Sequence, residues 1–86
     1  MARFVGNTGQ SMEDAVVILD ARTTAEGIAA EYKHLEALFG KRNIDWRLHR
    51  QTLAKANGRH YDVMTVEISP TDFRDVYFDI TDFFGK

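Results

Sequence analysis

WRLHRQTLAKANGRHYDVMTVEI, the stretch from Trp46 to Ile68, decides how the rest of this chain can fold. Two strand-like runs flank Asn57-Gly58, a pair that tolerates the positive φ angles of a tight hairpin turn. Loop length sets the register, and a one-residue slip turns over the faces of one strand relative to the other. A two-residue loop, Asn57-Gly58, puts Met64, Val66 and Ile68 on one face with Gln51, His49 and Arg47, a poor match. A three-residue loop, Ala56-Asn57-Gly58, makes Gly58 the left-handed residue of a G1 bulge. Trp46 then lies opposite Ile68, Leu48 opposite Val66 and Arg50 opposite Met64. The other face pairs Arg47 with Glu67, His49 with Thr65, Gln51 with Val63 and Leu53 with Tyr61. Each cross-strand pair contributes about 0.2–1 kcal/mol, and the three-residue loop satisfies both faces. It is the expected turn.

Downstream, Ser69-Pro70-Thr71-Asp72 reads as a turn with Pro at its second position. Phe73–Ile80 is the next strand, with Val76 expected opposite Val66, Phe78 opposite Met64, and Asp62 beside Ile80. Thr81 to Gly85 reads as a capped turn folding Phe83 and Phe84 onto the sheet edge. Upstream, Thr23-Thr24-Ala25-Glu26 is a capping box that opens a helix from Thr24 to about Phe39. Ala25, Ile28, Tyr32, Leu35 and Phe39 recur at helical spacing as its apolar stripe, with Glu31, Lys33, His34 and Glu36 mostly off it. Gly27 costs about 1 kcal/mol against Ala in a helix, which the close approach of a strand backbone would explain. Ala15 to Leu19 is an apolar run of buried-strand type. Arg3-Phe4-Val5 is a candidate edge strand within residues 1–11, which read as a flexible N-terminal segment. Residues 12–86 then form a single α+β domain.

The expected fold is a two-layer α+β sandwich, β-α-β-β-β, with one helix packed on one face of a mostly antiparallel four-stranded sheet. The strand at Ala15–Leu19 is parallel to whichever of the second or fourth strand it joins.

Eighty-six residues, 44% hydrophobic and 28% charged, describe an ordinary single globular domain. The chain has no Cys, which excludes disulfides, thiol nucleophiles and Cys-based zinc sites and suits a cytoplasmic location. No apolar run approaches the ~20 residues of a membrane span and no secretory signal is evident, so no membrane partner is expected. The net charge of −2 conceals a basic strip: residues 41–60 carry six basic side chains and one acidic. That strip reads either as a strand neutralised by acidic neighbours, as in Arg47–Glu67, or as a nucleic-acid footprint with Lys55 and Arg59 as candidate contacts.

No catalytic, cofactor or metal motif emerges, and none is expected. His34, His49 and His60 lack metal-ligand spacing. His49, Tyr77, Asp79 and Glu67 could converge on one face as acid, base and electrophile, but such residues are common on solvated sheets, and an enzyme of unknown type is the weaker reading. The argument for function comes from counting faces. One helix covers one face. The other would carry Leu53, Tyr61, Val63 and Tyr77 with charged margins, including Arg47, His49 and Asp79. A mixed apolar face rimmed by charge often marks an interaction site, and symmetric dimers are the commonest soluble oligomers. The expectation is a non-catalytic protein-interaction domain that self-associates, as a homodimer, or docks a protein partner through this face, at Tyr61, Val63, Tyr77, Arg47, His49 and Asp79. The competing possibility is that Phe4, Phe83 and Phe84 fold over it.

Overall fold

The alternation of apolar side chains in the hairpin and the 3.6-residue period of the segment before it separate strand from helix as the sequence suggests. In a computed structural model, which describes residues 3–85, the chain forms β1 (Arg3–Val5), β2 (Val16–Leu19), α1 (Thr24–Phe39), β3 (Arg47–Ala56), β4 (Arg59–Ser69) and β5 (Asp72–Asp79). Met1, Ala2 and Lys86, at the two ends of the expected domain limits, lie outside the described residues. The sheet has five strands in the order β1-β2-β5-β4-β3. This corrects the expected four, because Arg3–Val5 pairs antiparallel with β2 along Arg3–Leu19, Phe4–Ile18 and Val5–Val17. The sheet is mixed: β2 runs parallel to β5, and β3, β4 and β5 form an antiparallel meander. Parallel strands need a long crossover. Here α1 leaves β2, spans the layer above β5 and β4, and delivers the chain to β3 at the far edge.

The hairpin departs from the expected turn. Ala56 pairs with Arg59, so the loop is Asn57-Gly58 alone. Both residues have positive φ, 52° and 77°, as a type I′ turn requires. Gln51 therefore faces Met64, Thr52 faces Val63, Leu53 faces Asp62 and Arg50 faces Thr65. The expected pairs Arg50–Met64, His49–Thr65, Gln51–Val63 and Leu53–Tyr61 are all displaced by one residue. A register shift between Leu48 and Arg50 then restores Leu48–Val66 and Arg47–Glu67. His49 is the extra residue of a β-bulge. The bulge sits inside the strand rather than at the turn, and it moves Gln51 and Leu53 to the helix side of the sheet.

The second hairpin is also offset. Ser69 pairs with Asp72 around Pro70-Thr71, a further shift follows, and Met64 then faces Val76 while Asp62 faces Phe78. The slip from the expected register is two residues, so the faces are preserved.

Val16, Ile18, Met64, Val66, Val76, Phe78 and Ile80 meet Ala30, Leu35, Trp46 and Phe83 in the core, with Leu48, Ile68, Tyr32 and Phe39 packed at its border. Thr23 caps α1 by accepting a hydrogen bond from the Glu26 amide at 3.1 Å, about 1 kcal/mol of helix stability. The buried helix positions are Gly27, Ala30, Glu31 and Leu35. Ala25 and Ile28 are exposed, so the stripe is rotated from the expected one. Phe83 packs against the rotated face: an added Cβ at Gly27 would collide with its ring. Close approach at Gly27 is thus by an aromatic ring, not a strand backbone.

Candidate interaction face and an acidic cleft

The β3–β4–β5 meander places the six expected face residues, Arg47, His49, Tyr61, Val63, Tyr77 and Asp79, on the side away from α1. Successive cross-strand rows define this surface. Val5, Val17, Asp79, Tyr61 and Ala54 form one row; Tyr77, Val63 and Thr52 the next; Asp75, Thr65 and Arg50 a third; Phe73, Glu67 and Arg47 the last. The first two rows are mainly apolar. Val17, Leu19, Val63 and Tyr77 are half-buried, Val5 is exposed, and Tyr61 is buried.

The polar rows are internally paired. Arg47 donates from Nε and Nη2 to the two Glu67 carboxylate oxygens at 3.1 and 3.3 Å. Thr65 donates to Asp75 at 2.5 Å. Arg59 reaches Asp79 at 2.6 Å, and the Thr81 hydroxyl donates to the other Asp79 oxygen at 2.7 Å. Burial pushes the Asp79 carboxyl up, but the hydrogen bonds from Arg59 and Thr81 and the Arg59 charge outweigh it, holding it below its usual range. His49 packs its ring against Phe73 with centroids 4.8 Å apart. His49, Asp79 and Glu67 are accordingly engaged with separate neighbours, Phe73, Arg59 and Arg47, rather than with one another. Lys55 is exposed near the hairpin tip, where it pairs with His60 across the ladder.

The aromatic residues of the competing reading, which would cover this face, lie elsewhere. Phe4 packs on His34 of the helix, with centroids 4.9 Å apart. Phe83 is buried beneath Gly27, and Phe84 stacks on His60 at 4.0 Å with the planes 7° apart. Leu53 and Gln51, expected on the helix-free face, are on the opposite side.

That opposite side holds a feature the stripe did not anticipate. A cleft of about 460 Å³ opens between the N-terminal half of α1, the turn at 80–85 and the ends of β3 and β4. Ile28, Leu53 and Phe84, all exposed, form its walls. Glu31 and Asp62 also line it, at 1% and 2% exposure. Glu31 Oε2 and Asp62 Oδ1 are buried and, apart from the Glu31–Asp62 pair itself, have no hydrogen-bond partner among the described residues. Burial, then a hydrogen bond to Asp62, then the negative charge of Asp62 push the Glu31 carboxyl up to about 10. Glu31 is therefore a neutral acid at pH 7. The Gln51 amide donates to Asp62 Oδ2 at 2.7 Å.

Asp62 was legible as an inward residue, since it alternates with Met64 and Val66. Glu31 was not, because a carboxylate on the flank of the apolar stripe, one turn before Leu35, reads as a solvent-facing side chain. Among the described residues no group of three His, Cys, Asp or Glu could hold a metal ion, and no helix is long and apolar enough to cross a membrane.

The fold defines a small α+β domain with a five-stranded mixed sheet and one covering helix. Comparisons with protein-family models, with curated proteins and with solved structures gave no match for this chain.

Proposed function

We propose that this is a small, non-catalytic, cytoplasmic interaction domain that self-associates as a homodimer through the helix-free face of its sheet. The observation that carries the reading is the disposition of the chain ends. Phe4, Phe83 and Phe84 pack toward the helix side, so the half-buried Val17, Leu19, Val63 and Tyr77 of the other face have no cover from them. A second copy suits this surface because its charge is self-complementary. Arg50 and Asp75 flank Thr65 on opposite sides, and a two-fold axis near Thr65 sets each Arg50 over the other copy's Asp75. Apolar rows beside rows of satisfied polar pairs supply the apolar and polar parts that an interface combines.

Nucleic-acid binding through the hairpin tip draws less support, since Arg59 is tied to Asp79 and leaves Lys55 as the freer cation. The test is the amide NMR spectrum over a hundredfold dilution. Resonances at Val17, Leu19, Val63, Thr65 and Tyr77 are expected to move together while those of α1 stay fixed. A spectrum independent of concentration that also lacks dimer-sized relaxation overturns the reading.

A further inference from the structure

We propose that the cleft beside Glu31 and Asp62 binds a small organic cation, an ammonium or amidinium group carried on an apolar body. This site is separate from the self-association face and does not depend on it. Four features of the cleft specify the ligand. Its volume, about 460 Å³, is that of a small-molecule pocket. Its walls, Ile28 at 37%, Leu53 at 62% and Phe84 at 43% exposure, offer apolar surface to water, which an aliphatic or aromatic body would cover. Its inner end is acidic and none of the described residues lining it is basic, so the favoured charge is positive. Finally, Asp62 is a carboxylate at 2% exposure whose donors are the neutral Glu31 carboxyl and the neutral Gln51 amide, and a buried negative charge is ordinarily paired with a cation. A primary ammonium or an amidinium supplies that positive charge together with N–H donors from one end of a molecule.

Access is provided by Gln51. Its side chain belongs to an exposed residue of the edge strand β3, yet its amide already donates to Asp62 Oδ2 at 2.7 Å. A nitrogen can therefore approach Asp62 from the cleft. A ligand cation takes the place of that amide and brings charge as well as a second donor. Leu53, the most exposed of the walls, closes over the ligand body.

The experiment titrates the full chain with hexylammonium chloride and with 1-hexanol at pH 7 and matched ionic strength, read by amide NMR shifts. Hexylammonium is expected to move the resonances of residues 51–53, 60–62 and 81–85 and to bind at least tenfold more tightly than hexanol. Leu53→Ala should weaken both ligands about threefold and keep their ratio. Asp62→Asn should bring the two affinities together, provided its melting curve shows a folded protein. Gln51→Lys, at an exposed position, delivers a tethered ammonium to Asp62 and should abolish the preference without loss of the fold. Equal affinity for the two probes overturns the cation assignment while leaving an apolar cleft. Shifts confined to other residues, absence of binding by either probe, or a preference that survives Gln51→Lys overturns the site itself.

Discussion

Glu31, on the buried face of α1, and Asp62, on the helix side of β4, meet as two carboxyl side chains almost wholly withdrawn from solvent. The arrangement holds because Glu31 keeps its proton: its carboxyl is raised from 4.5 to about 10. Below pH 4.5 both the folded and the unfolded chain carry that proton. Between 4.5 and 10 the unfolded chain releases it and the folded chain does not, so stability falls as pH rises through this window. The limit is about 1.4 kcal/mol per pH unit. His34 works in the other direction. Burial lowers its ring, so its contribution is present above 6.5 and lost as pH falls. The range from pH 7 to 9 thus isolates Glu31. Glu31→Gln retains a donor for Asp62 and has no proton to release. Thermal melts should show a falling Tm from pH 7 to 9 in the wild type, a flatter profile in Glu31→Gln, and a higher Tm for the variant at pH 9. Parallel profiles would contradict the assignment.

Gly27 is the one helix position where adding a methyl group should destabilise rather than help. Gly→Ala in an exposed helix gains about 1 kcal/mol, but here the new Cβ would meet the Phe83 ring at 2.4 Å. Overpacking of this kind costs about 1–3 kcal/mol. Urea unfolding should show Gly27→Ala less stable than wild type. The double variant Gly27→Ala/Phe83→Leu should lose less than the sum of its two single changes, since the pair is in contact.

Gly58 tests the turn. Its φ of 77° has no steric neighbour within 4 Å of a Cβ, so any cost of substitution comes from the backbone. Gly58→Val should lose about 1–2 kcal/mol, and Gly58→Asn much less, because Asn tolerates the left-handed region. Denaturant midpoints for the two variants check this. Equal losses would mean that the turn is not the I′ form.

How far the sequence discloses this structure depends on the element. Helix boundaries were legible because the Thr23 cap and Gly40 bracket a single periodic segment. The core-facing residues of β4 and β5 were legible from alternation, even though the register slipped, because a two-residue slip conserves faces. The hairpin misled for a specific reason. Near Trp46 the side chains demand one register, and near Asn57-Gly58 the turn demands another; the chain adopts both and places His49 between them. A bulge inside a strand leaves no mark in hydrophobic pattern. That one residue moved Gln51 and Leu53 across the sheet and built part of the acidic cleft. The parallel β2–β5 pairing was open as one of two joins, because nothing local selects which strand the chain returns beside. The six residues expected on the helix-free face do lie there, since Arg47 precedes the bulge, His49 is the bulge, and Tyr61, Val63, Tyr77 and Asp79 belong to β4 and β5.

The most direct test of self-association through that face is the solution mass by light scattering of the wild type and of Val63→Lys. Val63 is half-buried at the centre of the face and opposite Tyr77, so a lysine there can extend to solvent from a folded monomer. The account predicts twice the 9.8 kDa chain mass for the wild type, and 9.8 kDa for a Val63→Lys variant with an unchanged circular dichroism spectrum. A wild type at 9.8 kDa across all concentrations, or a dimer indifferent to Val63→Lys, would contradict it.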